Sequence, residues 1–88
     1  MPDSGNASLS TTGQTAVILL AASTGFFKRV TFVNKGSVDV QCSIDGKSWR
    51  LLPGPGSRTF RDTNLTAGAL VRAVPGGSDG SGLWADAD

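Results

Sequence analysis

Residues 38–56 read VDVQCSIDGKSWRLLPGPG, and this stretch decides the fold class. Its first seven residues alternate apolar with polar side chains, which is the period of a half-buried strand. The apolar positions are Val38, Val40, Cys42 and Ile44. Asp45-Gly46 then tolerates the positive φ of a tight hairpin turn. A second strand runs through Trp49 and Leu51 until the Pro-Gly-Pro-Gly run ends it. The stretch therefore predicts an antiparallel β-sheet.

The rest of the chain continues the same pattern of short apolar runs separated by turn residues. We expect strands at residues 15–22, 26–33, 38–44, 48–52, 57–61, 69–74 and 83–85, with Phe60 facing inward. The segments expected as turns or loops are residues 23–25, 34–37, 63–68 and 75–82. No segment has a sustained helical period. The prediction is an all-β fold, a small antiparallel β-sandwich or barrel of six to seven short strands.

The ends of the chain differ from its middle. Residues 1–13 are small and polar, which predicts a flexible N-terminal arm with room for a short edge strand at residues 7–11. Residues 14–88 then form the β-sandwich domain. The seven-residue apolar run at 16–22 is too short to span a membrane and lacks the basic start of a signal peptide.

Composition excludes much of the usual chemistry. The 88 residues contain no His, Glu or Tyr, so Ser–His and Cys–His nucleophile pairs are impossible within the chain. We expect no enzyme activity and no cofactor. Cys42 has no second cysteine for a disulfide or a zinc site, and its place in an apolar series predicts a small buried side chain. A domain of this size gains stability from partners, so we expect it to act in an assembly, as a homo-oligomer or on a larger protein.

Charge is unevenly distributed. All eight basic residues lie between positions 28 and 72 together with three Asp, which gives that span a net charge of +5, whereas the ends carry only acids. Such a distribution suits packing between copies or against a larger partner; the alternative is ordinary surface charge for solubility. The overall charge is near zero and gives no general nucleic-acid signature.

Four motifs have a chemical and a structural interpretation. The segment from Ser43 to Trp49 resembles the Asp-box hairpin of sialidases but lacks one residue between Asp and Gly; it is a structural turn in either case.

Trp49 and Trp84 form either a sugar-stacking platform or packed side chains, with Trp84 the better anchor for a partner. The Gly-rich residues 76–82 read as a flexible loop rather than a calcium repeat. Arginines near the Pro-Gly turn either meet carboxylates or a nucleic-acid backbone, or are solvated charge. The candidate interface residues are Leu9, Arg50, Arg58, Arg61 and Trp84.

The order of these elements resembles small structural proteins of tailed bacteriophages. The resemblance rests on Asn34-Lys35-Gly36-Ser37, the stretch from Val38 to Gly46, Trp49, Leu52-Pro53-Gly54, the stretch from Gly68 to Ala73 and a final Trp84. It implies a non-enzymatic virion component made in the host cytoplasm. The implied role is capsid decoration (cement) on the major capsid protein, or a tail or neck accessory position. A carbohydrate-binding module that aids host attachment is the alternative from another class, and nucleic acid and membrane are not expected as partners.

Overall fold

The computed structural model describes residues 3–4, by their backbone alone, and residues 10–88. It is all-β, in agreement with the predicted sandwich. The eight strands are β1 (Asp3–Ser4), β2 (Val17–Leu20), β3 (Ser23–Asn34), β4 (Val40–Ser43), β5 (Arg50–Leu52), β6 (Gly56–Leu65), β7 (Ala69–Ala73) and β8 (Leu83–Ala87). No helix long and apolar enough to cross a membrane occurs among the described residues.

The strands form two four-stranded antiparallel sheets. The first sheet has the order β1-β8-β3-β6 and the second has the order β2-β7-β4-β5. Contacts between β1 and β2 and between β5 and β6 show that the two sheets are stacked with their edges aligned. One side of the sandwich is therefore bordered by β5 and β6, and the opposite side by β1 and β2.

The core lies between the two sheets and follows the alternation of the sequence. Val40, Cys42 and Leu52 of the second sheet meet Val30 and Phe32 of the first, and all are fully buried. Phe60 is half-buried, and its ring meets the Phe32 ring edge to face with centroids 5.6 Å apart, which confirms its inward orientation. Full burial of a side chain such as Phe32 stabilises a fold by about 1.5–3 kcal/mol, and the half-buried Phe60 contributes less.

Cys42 is buried, as predicted for a small apolar side chain in this series. Burial raises the pKa of its thiol to about 12, against the opposing influence of the nearby Arg58 and Arg50 guanidinium groups. The thiolate, which is the nucleophilic form, is therefore disfavoured in the folded protein.

Three predicted turns or loops differ in the structure. The tight hairpin turn at Asp45-Gly46 is instead a loop of six residues, because β4 ends at Ser43 and β5 begins at Arg50. Of the two residues predicted to form the turn, only Gly46 has a positive φ, 76°. The turn predicted at residues 23–25 lies inside β3, and the loop predicted from residue 63 begins as the end of β6, because these two segments pair with each other as far as Ser23 and Leu65. The glycine at position 25 is accommodated where the register shifts.

An irregularity in β3 changes which side chains face the core. The Lys28 N–H donates to Asp88 O (2.8 Å) and the Asp88 N–H donates to Arg29 O (2.9 Å), so two residues oppose one, as in a β-bulge. Phe27 packs against the core before this step, and Val30 points inward after it. Phe26 is left 68% exposed. If inward and outward side chains alternated without interruption from Phe32 and Val30, Phe26 rather than Phe27 would lie on the buried face.

Part of the predicted N-terminal arm contacts the body. Asp3 and Ser4 pair with the end of β8. Thr11 is buried and exchanges backbone and side-chain hydrogen bonds of 2.9 Å with Gly80, and Asp79 accepts the Gly13 N–H at 2.6 Å. These contacts fix the Gly-rich loop to the chain start, so in the described residues the body begins before residue 14. Most of the edge strand predicted at residues 7–11 lies outside the described residues.

Candidate interaction site

The two sheets differ in how their edges are built. Three of the edge strands are short: β1 has two residues, β2 has four and β5 has three. The fourth, β6, has ten residues and a single neighbour, β3, in the described part of the chain. An edge strand turns the N–H and C=O groups of about every second residue away from its neighbour. Short edges limit unwanted pairing, and β6 lacks that protection.

Two of the predicted interface arginines lie together where β5 and β6 meet. Arg58 stands opposite Phe32, and Arg50 stands opposite Cys42, so both occupy core-facing positions on edge strands. Both side chains are exposed, because at the edge they reach out between the sheets. The Arg58 Nε–H donates to Leu51 O at 2.9 Å and so links the first sheet to the second. We call this region, formed by β6 with Arg50 and Leu51 of β5, the basic edge.

Arg61 is separate from that pair. It alternates with the inward Phe60 and stands opposite Arg29, which places it on the outer face of the first sheet. Arg29 pairs with Asp88 through an Nη2–Oδ2 distance of 2.7 Å, and this hydrogen bond holds the pKa of Asp88 below its ordinary value. The three arginines were predicted to form one cluster. In the structure, Arg50 and Arg58 lie at the edge between the two sheets, and Arg61 lies on the outer face of the first sheet.

Trp84 lies on the outer face of the first sheet. Its neighbours Leu83 and Ala85 are fully buried, so alternation turns the Trp84 ring away from the core. The ring is half-buried, and Lys35 Nζ lies 5.7 Å from its centroid. Its indole N–H has no hydrogen-bond partner among the described residues.

Trp49 lies on the outer face of the second sheet. Its ring stacks on the Arg72 guanidinium, whose central carbon is 4.0 Å from the ring centroid. The Arg72 Nε–H donates to Gln41 Oε1 at 2.8 Å, which holds the guanidinium in place. The two tryptophans therefore occupy opposite faces of the sandwich and form no common platform with each other.

The segment that resembles an Asp-box holds a loop together. Asp45 Oδ1 accepts the N–H groups of Lys47 (2.8 Å) and Ser48 (2.9 Å). Ser43 Oγ donates to the same carboxylate and accepts the Gly46 N–H. The backbone donors at Ser48 and Lys47 lower the pKa of Asp45. The Asp45 carboxylate and the Ser43 hydroxyl thus shape the loop, as expected for a structural turn.

Exposed apolar side chains were missed at the sequence level. Leu51 of the basic edge is 49% exposed, whereas its neighbour Leu52 is fully buried. Because Leu51 and Leu52 are both apolar, the alternation of apolar and polar residues does not show which of the two faces the core. Leu51 borders an open depression of about 400 Å³ that is also lined by Val38 and Val74.

Other candidate sites contribute little. Leu9 lies outside the described residues. No group of three or more His, Cys, Asp or Glu side chains that could hold a metal ion occurs in the described residues. A second open depression, of about 280 Å³, is lined by residues around Ser23 and Asn64 and carries no charged side chain.

Comparison of the chain with protein-family models, curated proteins and solved structures finds no match.

Proposed function

We propose that the chain is a non-enzymatic structural protein of a tailed-phage particle, and that it binds the outer surface of the head as a decoration protein. It acts there as a small rigid body that joins and stabilises capsid subunits. The proposal depends on the resemblance in turn order together with the way this fold uses its polar groups.

The observation that carries the proposal is what the turn residues of that resemblance do. Asn34 is buried, donates from Nδ2 to Val38 O (2.8 Å) and accepts the Gly36 N–H (2.9 Å). Gly54, from the Leu-Pro-Gly segment, donates its N–H to Asp39 Oδ1 at 2.9 Å. The turn residues that carry the resemblance therefore fix the geometry of loops. This favours a fold shared with the small phage structural proteins over a chance similarity of composition.

The same use of polar groups favours a scaffold over a catalyst. The carboxylates of Asp39, Asp45 and Asp79 each accept backbone N–H groups of the chain's own loops. The carboxylate of Asp88 is paired with Arg29. Carboxylates committed in this way hold the fold, and a reacting group must instead be directed at a substrate.

The tryptophans favour a scaffold over a sugar-binding module. A sugar ring stacks on an open aromatic face, yet Arg72 lies over Trp49 and Lys35 lies over Trp84. Because the two rings lie on opposite outer faces, they do not grip one saccharide chain together.

The test is the effect of the purified protein on capsids that lack their decoration, taken from the phage that encodes the chain. We expect added protein to co-sediment with the capsids and to raise the temperature at which they release their contents. Binding without stabilisation, confined to one vertex, would move the assignment to the neck or tail. Failure to bind, together with binding to immobilised host-surface polysaccharide, would establish the carbohydrate function instead.

A further inference from the structure

The basic edge presents a long edge strand, with no neighbouring strand on its outer side in the described residues and with arginines along it. Strand β6 is ten residues long, and Asp62 within it has a φ of 53°. That left-handed residue interrupts the extended backbone, so the regular part of the edge covers residues 56–61, roughly 20 Å of strand. Arg58 and Arg61 lie within this part, and Arg50 faces it from β5.

The charges select the occupant. Antiparallel pairing of two copies of β6 centred on Thr59 would set Arg58 of one copy opposite Phe60 of the other. It would also gather four arginines against two aspartates in one small interface. In this register the two Arg58 side chains are diagonal neighbours on one face, where their like charges repel, so the charges disfavour a second copy. An extended segment rich in Asp or Glu has the complementary charge and can pair its carboxylates with the guanidinium groups.

The side chains along the edge specify a pattern in that segment. Phe60 is half-buried and faces between the sheets, whereas Thr59 and Arg61 face outward. An added strand would continue this alternation, with every second side chain covering Phe60 and the others facing outward beside Arg61. The complementary segment therefore alternates apolar with acidic residues.

We propose that residues 56–61 of β6 take up an extended acidic segment of a partner protein, which adds to the first sheet as a further strand. The inference rests on the proposed function only in taking the partner to be another virion protein. Backbone hydrogen bonds along β6 provide the attachment. Arg61 pairs with the acidic side chains on its own face, and Arg58 and Arg50 add positive charge beside the strand.

The experiment uses the full chain and a blocked decapeptide of alternating Val and Asp as the probe. Amide chemical shifts and hydrogen exchange are measured by NMR up to about 1 mM peptide, which detects weak strand addition. We expect protection at residues 56–61, weakened by added salt. A peptide with Lys in place of Asp should not protect residues 56–61. A peptide with Pro at every second position should not protect them either, because Pro lacks the backbone N–H that a strand donates.

Two variants of equal charge change locate the site. Arg61→Glu removes a cation of the basic edge, whereas Lys47→Glu changes an exposed cation in the β4–β5 loop. We expect Arg61→Glu to weaken binding at least about fivefold and Lys47→Glu to change it less than about twofold. Equal effects of the two variants, equal binding of the Lys peptide, or no protection of β6 would overturn the proposal. Protection of β6 that rises with protein concentration alone would overturn it in favour of a second copy.

The same variants separate this inference from the proposed function. Arg61→Glu protein that binds decoration-free capsids as well as Lys47→Glu protein would leave the function standing and refute the role of the edge. If the protein bound the peptide but did not bind capsids, the role of the edge would stand and the proposed function would be refuted.

Discussion

Replacing Asn34 by Ala should lower the free energy of unfolding by about 3 kcal/mol. Asn34 is 1% exposed, and its side chain makes three hydrogen bonds: to Val38 O at 2.8 Å, to Leu52 O at 3.3 Å and from the Gly36 N–H at 2.9 Å. Each such bond contributes about 1 kcal/mol net, and a buried group left without a partner costs about 1–3 kcal/mol. The bond to Leu52 reaches from the first sheet to the second, so its loss also loosens the stacking of the sheets.

That effect is large for a domain of this size. At 0.05–0.15 kcal/mol per residue, 88 residues have a total stability of about 4–13 kcal/mol. Urea unfolding followed by tryptophan fluorescence gives the change directly, and thermal unfolding should show a Tm lower by roughly 12–24 °C.

Asn64→Ala is the matched control, because Asn64 is an exposed residue of β6. We expect it to change stability by less than about 0.5 kcal/mol. If Asn34→Ala were no more destabilising than Asn64→Ala, the reasoning that the Asn34 side chain secures these loops would be refuted.

Three further predictions concern other polar groups. Because the pKa of Asp45 lies below its ordinary 3.8, its stabilising contribution is present above that pH and lost as pH falls through the folded-state pKa. Asp45→Asn should therefore be destabilised at pH 7 in urea titrations, with the difference from wild type shrinking in strong acid; a constant difference would contradict this. Cys42, buried and with a pKa of about 12, should react with a thiol reagent at pH 8 only when urea unfolds the protein, and rapid labelling of the native protein would refute its burial. Thr11→Val removes the hydroxyl that accepts the Gly80 N–H, so limited proteolysis should cut residues 75–82 faster than in wild type, and an unchanged rate would show that this bond does not hold the loop.

The sequence predicted the fold where its alternation is strict. Val40 and Cys42 are buried as their spacing indicates, and Phe60 packs inward. Alternation alone does not indicate where the backbone departs from regular geometry, as at the bulge that turns Phe27 rather than Phe26 toward the core. The prediction of a tight turn was wrong at Asp45-Gly46, because a carboxylate that accepts several backbone N–H groups can support a longer loop than a two-residue turn.

The candidate site was less predictable than the fold. Proximity of Arg58 to Arg50 depends on which strands border the same side of the sandwich, and this order is a tertiary property. The separation of Arg61 from them follows from strand alternation once β6 is known to begin at Gly56. The length of β6 as an exposed edge depends on its pairing with β3, which is distant in sequence.

The most direct test of the central claim is the number of copies bound per capsid. If the proposed function is right, decoration-free capsids of the phage that encodes the chain can be saturated with purified protein, sedimented and quantified against the major capsid protein. We then expect a fixed ratio that matches the symmetry of the shell, at every equivalent position. A handful of copies per particle, or none, would contradict a decoration role.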